Sequence, residues 1–180
     1  MVAIPLGTLM GLSRHTNAAF DPIIEILRPI SAVAWVPILL VTIGVGGGLY
    51  YAVTFYGSFF PILINTASGV RSADRTHLQA AQTLGATPLM TVREAVLPGA
   101  YPAILTGMRV GMGTGWVSIV AAELIGASTG LGYMISWNQK IFNSGAVVTG
   151  MITIGIIGLV INYGMLLLQR RLTHWSTTIA

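Results

Sequence analysis

The sequence predicts an all-α protein, a polytopic bundle of transmembrane helices, and three observations predict it. Of its 180 residues 54% are hydrophobic and only 8% are charged, where a soluble domain carries roughly 25% charged residues. Too few charges exist to cover a water-facing surface. The charges are also widely spaced: 42 consecutive uncharged residues separate Arg28 from Arg71, and 29 separate Lys140 from Arg170. A helix crossing a bilayer needs roughly 20 apolar residues, so these runs hold about two spans and one span. Between Arg109 and Lys140 only Glu123 interrupts the apolar run, which adds another. Composition excludes a disordered chain, and the absence of cysteine excludes a disulfide scaffold.

The elements follow in chain order. Met1 to Ser13 is apolar but reaches only about 20 Å as a helix, and it lacks the basic start and cleavage site of a signal peptide. It reads as the tail of a spanning helix whose beginning is missing. The 42-residue run divides at Gly44-Val45-Gly46-Gly47-Gly48, a cluster that favours a tight turn. Its first half, Ile30 to Ile43, is short and holds Pro37, so it is irregular or begins near Asp21-Pro22, which resembles an N-cap followed by proline at the first helical position. Its second half, Leu49 to Val70, is a full span. Ala103 to Ala127 and Ala146 to Gln169 complete the set. With no repeat or low-complexity linker, residues 1–180 form one domain.

Arginine placement orients the bundle. The stretch from Ser13 to Pro29, the loop 71–102 and the tail after Gln169 carry Arg14, Arg28, Arg71, Arg75, Arg93, Arg170 and Arg171, and the opposite side carries only Lys140. Positive-inside bias makes the arginine-rich side cytoplasmic. The formal charge of +4 therefore reflects topology and gives no support to a nucleic-acid partner.

The largest cytoplasmic loop, 71–102, reads as helix, break, helix. Asp74 can cap a helix through Leu84, Gly85 sits where a left-handed residue is favoured, and Thr87-Pro88 can start a second helix. Gln79-Ala80-Ala81, three residues, Gly85 and then Leu97-Pro98 resemble the EAA loop of bacterial ABC importer permeases. Gln79 stands where that pattern has Glu, and Ala95 where it has a bulkier aliphatic residue. Ile4-Pro5-Leu6-Gly7, Leu27-Arg28-Pro29-Ile30, Phe60 to Thr66, Ala80 to Ala86 and Ala122 to Ala127 are similar to the nitrate/sulfonate/taurine-type permeases, and this similarity covers almost the whole chain.

The resemblance implies a type I ABC importer permease fold lacking the N-terminal helix or helices, in a bacterial inner membrane. It implies partners: a second permease subunit, with a homodimer expected, two cytoplasmic ABC ATPase subunits and an extracytoplasmic solute-binding protein. Gln79, Ala80, Ala81, Gly85, Leu97 and Pro98 would then couple to the ATPase. The implied cargo is a small anion such as nitrate, bicarbonate or a taurine-like sulfonate. No cofactor is expected in this chain. It has no Gly-x-x-x-x-Gly-Lys-Ser/Thr run, so ATP and Mg belong to the partner ATPases.

The helix from Ala103 carries two signals. Gly107, Gly111 and Gly115 recur every four residues and permit close helix packing. Arg109, Trp116 and Glu123 recur every seven, on a stripe roughly 100° from the glycines. An ionisable group at membrane depth faces a cavity or a partner, and for Glu123 a functional and a structural role stand equally open. Trp35, Tyr56, Asn65, Trp116 and Glu123 are the candidate lining of a translocation pathway, with Asn162 a weaker one. Tyr50, Tyr51, Trp137 and Trp175 lie near the membrane boundaries, where anchoring explains them.

Two other functions compete. Gly126-Ala127-Ser128-Thr129-Gly130 matches the nucleophile-elbow pattern of hydrolases, but that motif needs a strand-to-helix turn and a nearby histidine. His15, His77 and His174 all fall on the other side of the predicted membrane, and no metal-ligand spacing links them. An ATP-independent channel or secondary carrier would need coupling residues, of which only Glu123 is available, and an inverted pair of interrupted helices. The expectation is therefore a transporter subunit rather than an enzyme.

Overall fold

The computed structural model of the chain describes residues 2–72, 85 and 87–173, and among these it is helical throughout, without a strand. Helix α1 (Ala3–Leu12) packs along α4 (Gly47–Arg71), with Gly7 against Leu63 and Thr66 and Gly11 against Ala67 and Val70. Ser13 then turns the chain in an extended conformation, and its hydroxyl accepts from the Thr16 N–H at 3.3 Å, capping α2 (Arg14–Leu27). This corrects the expected loop from Ser13 to Pro29 and the expected helix start at Asp21-Pro22. Pro22 lies inside α2, because Ser13 supplies the cap eight residues earlier and Ile24 is buried against Phe60, Leu63 and Ala67.

Residues 28–31 break the helix, and a 3-10 turn (Ala32–Trp35) leads into α3 (Val36–Ile43), with Pro37 in its first turn. The two halves meet at an angle of 76°. They run the length of α4: Asn17 of α2 accepts a hydrogen bond from Arg71 at one end, and Ile43 lies against Gly48 at the other. Glycine is required at the next turn, where Gly44 has φ +83° and Gly46 +154° while a Cβ at either would meet nothing within 4 Å. Backbone conformation, not space, fixes those two residues.

Helix α5 (Pro88–Thr91), a π-turn (Val92–Val96) and α6 (Leu97–Gly126) form an unbroken helical run. Thr87 accepts from the Met90 N–H at 3.4 Å and so caps its start. The run begins well before the expected Ala103, because the π-turn at Val92–Val96 leads directly into α6 and Pro98, without an N–H of its own, follows that wider turn. Helix α7 (Leu131–Lys140) occupies the connection between the last two expected spans. Helix α8 (Ser144–Leu172) closes the chain, with Asn143 accepting from the Ala146 N–H at 3.3 Å.

Among the described residues helices α4, α6 and α8 are each long and apolar enough to cross a membrane, and the bent α2–α3 pair has the length and composition of a broken span or a re-entrant loop. At 1.5 Å per residue α4 is about 38 Å long against a hydrocarbon core of ~30 Å. The largest interface joins α4 to α6. Around it sit three buried clusters, one with α1 and α2 (Met10, Ile24, Phe60, Leu63), one with α3 (Val36, Leu49, Val53, Ala122) and one at the start of α6 (Val70, Val96, Ala100, Ile104). Helix α8 is the outlier, almost wholly exposed along its apolar length.

Candidate functional site

A groove opens between α4 and α6 beside the break between α2 and α3, with a volume of about 550 Å³. Its floor exists because small residues let the two helices approach. A Cβ on Gly107 would lie 2.7 Å from the Asn65 Cβ and 3.2 Å from the Pro61 carbonyl oxygen, and one on Gly111 would lie 2.8 Å from the Ile62 side chain. Gly115 meets Ser58 in the same way, and from the other side Gly57 meets Ser118. Two hydrogen bonds cross the interface reciprocally: Ser58 donates to the Gly111 carbonyl and Thr114 to the Gly57 carbonyl, both at 2.8 Å. Close approach and hydroxyl bonding to backbone are the means by which helices associate where the hydrophobic effect gives no drive.

Above this floor α4 presents Tyr56, Phe60, Ile64 and Asn65, and α6 presents Val110, Gly113, Thr114 and Val117. These recur at three- and four-residue intervals, one face of each helix. The third wall is the break itself, Arg28 to Val33. Tyr56 fixes that wall by donating to the Leu27 carbonyl at 2.6 Å, a carbonyl at the end of α2. Asn65 donates to Pro61, whose ring leaves α4 without one helical N–H. Trp35 packs against Tyr56 with the rings tilted by 49° and their centroids 5.6 Å apart, and Tyr56 meets Phe60 edge-on at 5.2 Å. The Trp35 indole N–H is buried and has no partner among the described residues.

The sequence-derived pathway candidates separate into two groups. Tyr56 and Asn65 line the groove and Trp35 backs it. Trp116 and Glu123 do not. The Trp116 indole donates to the Ile154 carbonyl of α8 at 3.4 Å, beside Gly158, and Glu123 accepts from the Gly132 N–H at 2.8 Å. Gly132 is in the first turn of α7, so Glu123 caps a helix nine residues away in sequence. Arg109, third in the same stripe, donates to Gln169 of α8 at 3.5 Å, and Gln169 in turn donates to Thr106. The stripe thus fastens α6 to α7 and α8, on a face distinct from the glycine face. Asn162 is exposed on α8.

Gly85 has φ +80°, and a Cβ there would meet nothing within 4 Å. Leu97 and Pro98 lie in the first turn of α6, Pro98 exposed. Gln79, Ala80 and Ala81, with the Asp74 cap, fall outside the described residues. Ser128 lies in an exposed link between two helices, so the Gly-x-Ser-x-Gly match there is not at a strand-to-helix turn.

Sequence reasoning misses Arg28, Ser31 and Thr114 as groove residues, and its charge alone sends Arg28 to a cytoplasmic loop. The signal that could have found it is Arg28-Pro29 directly before the apolar stretch Ile30–Leu40, since proline has no N–H with which to continue a helix.

A family model described as the inner membrane component of binding-protein-dependent transport systems matches residues 3–176. A putative ABC transporter permease of Methanocaldococcus jannaschii is 44% identical over 175 residues, covering 97% of this chain and 66% of that protein. The taurine transport system permease of Escherichia coli is 38% identical over 175 residues, 97% of this chain and 64% of that protein. A bicarbonate transport system permease of Synechococcus elongatus is 36% identical over 173 residues, 94% and 62%. The chain therefore spans just under two thirds of the length of these relatives.

Proposed function

Because the chain belongs to the binding-protein-dependent transport system inner membrane components, we propose that it is a transmembrane permease subunit of an ATP-driven ABC importer for a small anion. The observation that carries this reading is the groove between two helices long enough to span a membrane, largely apolar but with Arg28, Ser31, Tyr56, Asn65 and Thr114 in its lining, beside the break between α2 and α3. Irregular backbone inside a membrane is tolerated where it lines a cavity. The names of the relatives, taurine and bicarbonate transport permeases, favour a sulfonate or another small oxyanion, nitrate included, as cargo.

In this reading residues 1–180 act as one permease domain that pairs with a second permease subunit, with two ATPase subunits on the cytoplasmic side and an extracytoplasmic solute-binding protein. The loop 71–102 faces the cytoplasm, as does the C-terminus. Its residues Gln79, Ala80, Ala81 and Gly85 dock on an ATPase, and Leu97-Pro98 begin the helix that carries the motion inward. ATP and Mg bind to the ATPase subunits. Closure of those subunits draws the coupling segments together, and the unbroken helical run from Pro88 to Gly126 acts as a lever that carries the α4–α6 pair, and with it the floor of the groove. Alternating access follows from that movement.

The test is purification and transport together. The protein should bring down an ATPase subunit from detergent, and vesicles should take up taurine or bicarbonate only with ATP on the ATPase side. A protein that moves these anions down a gradient without ATP, and without an associated ATPase, would be a channel or carrier instead.

A further inference from the structure

The groove has sixteen lining residues, of which Arg28 alone is formally charged. Arg28 directly follows Leu27, the residue bonded to Tyr56. Tyr56 stands roughly 14 Å from the Gly47 end of α4 and roughly 22 Å from the Arg71 end at 1.5 Å per residue, so Arg28 lies well within the depth of the bundle. Its side chain is exposed and makes no hydrogen bond or ion pair with any described residue. Of the other polar groups of the groove, Tyr56 donates to Leu27, Asn65 to Pro61, Thr114 to Gly57 and Ser118 to Thr114, all of them backbone carbonyls, and Ser31 accepts from the Val33 N–H, so Arg28 is the charged donor of the lining. A second cavity of about 310 Å³ runs from the groove toward Arg71 and shares Arg28 and Ile64 with it. There the charges are mixed, Asp21 and Glu25 with Arg28 and Arg71.

An unpaired cation at this depth is costly unless it faces water or an anionic partner. Guanidinium is also the side chain whose fork of donors matches a planar or tetrahedral oxyanion. From these observations we propose that Arg28 is the anion-binding residue of the groove, holding a sulfonate or carboxylate-type oxyanion at the junction of the two cavities. The proposal rests on the importer reading and names the group that selects its cargo. Glu25, three residues earlier on α2, and Asp21 face the second cavity and compete for the same guanidinium. An anion in the groove and the carboxylates of α2 are thus alternative partners, and Arg28 releases its cargo by turning to them.

The absence of cysteine from these 180 residues permits a direct test in the full protein, with any cysteine elsewhere replaced. Single cysteines at Ser31 and at Val117, on two different walls, are labelled with a sulfonate-bearing and a trimethylammonium-bearing thiosulfonate reagent, and labelling is read as intact mass. The anionic reagent should react faster, relative to its ratio at an exposed reference cysteine at Ser144. Arg28→Gln should lower that ratio by at least about fivefold, the size expected on losing a unit charge that acts across about 8 Å of water or less, and Arg28→Lys should keep it. With Arg28 intact, ethanesulfonate should protect the Val117 cysteine and tetramethylammonium should not, a readout that stands even if Arg28→Gln folds poorly. A ratio unmoved by Arg28→Gln, or equal protection by both ions, overturns the proposal. ATP-driven uptake by the wild type alongside such a result would leave the importer reading standing. Charge-selective labelling without ATP-driven uptake would instead keep the anion site and remove the importer.

Discussion

Substituting Gly107 tests whether the groove depends on the close approach of α4 and α6. An alanine there would place its Cβ 2.7 Å from the Asn65 Cβ, 3.2 Å from the Pro61 oxygen and 3.3 Å from the Ile62 Cα. Two of these three are backbone atoms and the third is the first side-chain atom of Asn65, so no flexible end can move aside. The helices must part by roughly 0.7 to 1 Å to restore ordinary carbon contacts. Overpacking of this kind costs about 1–3 kcal/mol, and parting also stretches the Ser58–Gly111 and Thr114–Gly57 bonds, both 2.8 Å.

Alanine also has a better helix propensity than glycine, by ~1 kcal/mol, and a control removes that term. A Cβ on Gly164 of α8 would meet nothing within 4 Å, so Gly164→Ala gains the propensity without the clash. Thermal midpoints of the purified protein in one detergent, at one heating rate, should place Gly107→Ala roughly 2 to 12 °C below Gly164→Ala on the scale of 2–4 °C per kcal/mol. Gly107→Val should fall further and reduce membrane abundance. If Gly107→Ala melts with or above Gly164→Ala, the tight α4–α6 contact is not what holds the groove.

Three further outcomes are expected. Gly85→Val forces a β-branched residue to φ +80° at a site that the importer reading puts outside the bilayer, so it should leave protein abundance unchanged and weaken ATPase co-purification or uptake. Retention of both would refute the coupling role. Glu123→Gln keeps an acceptor for the Gly132 N–H and should stay close to wild type in stability and uptake. Glu123→Leu leaves that N–H without its partner, at a cost of about 1–3 kcal/mol, and equal melting of all three proteins would refute the capping role. For orientation, a cysteine at Ser144 should react with an impermeant thiol reagent in intact cells while one at Ser72 should not, and reversed labelling would overturn the cytoplasmic placement of the loop.

The parts of the fold legible in the sequence are those governed by bulk partitioning. The spans expected at Leu49–Val70 and Ala146–Gln169 lie within α4 and α8, because apolar length alone decides them. Helix α7 is not legible: Gly130 stands at its cap position without a capping side chain, and the acceptor comes from Glu123, far back on α6. Arg28 escapes for a related reason. Charge-counting rules send arginine to a loop, whereas the Tyr56–Leu27 bond and the buried Ile24 draw α2 along α4 and carry Arg28 inward. The spacing of Arg109, Trp116 and Glu123 does identify one stripe, but spacing names a face and not its neighbour.

That neighbour bears on mechanism. Helix α6 touches α4 with its glycine face, α8 and α7 with its Arg109–Trp116–Glu123 stripe, and the groove with Val110, Gly113, Thr114 and Val117. A displacement of α6 along its axis is opposed on the first face by close backbone contacts, whereas on the second it is carried to α7 through the Glu123–Gly132 bond. Motion of α6 should therefore take α4 and α7 along with it rather than slide α6 past α4. In the proposed importer, the α4–α6 pair with Arg28 at its edge would move as one body, and a change in access to the groove would come from what that body moves against. A disulfide locking α4 to α6, between cysteines at Gly57 and Ser118, where a Cβ on Gly57 would lie 3.2 Å from the Ser118 Cβ and 3.4 Å from the Thr114 carbonyl oxygen, should leave ATP-driven uptake intact if it forms without melting the protein. Loss of uptake on oxidation, restored by reduction, would show instead that the two helices must slide.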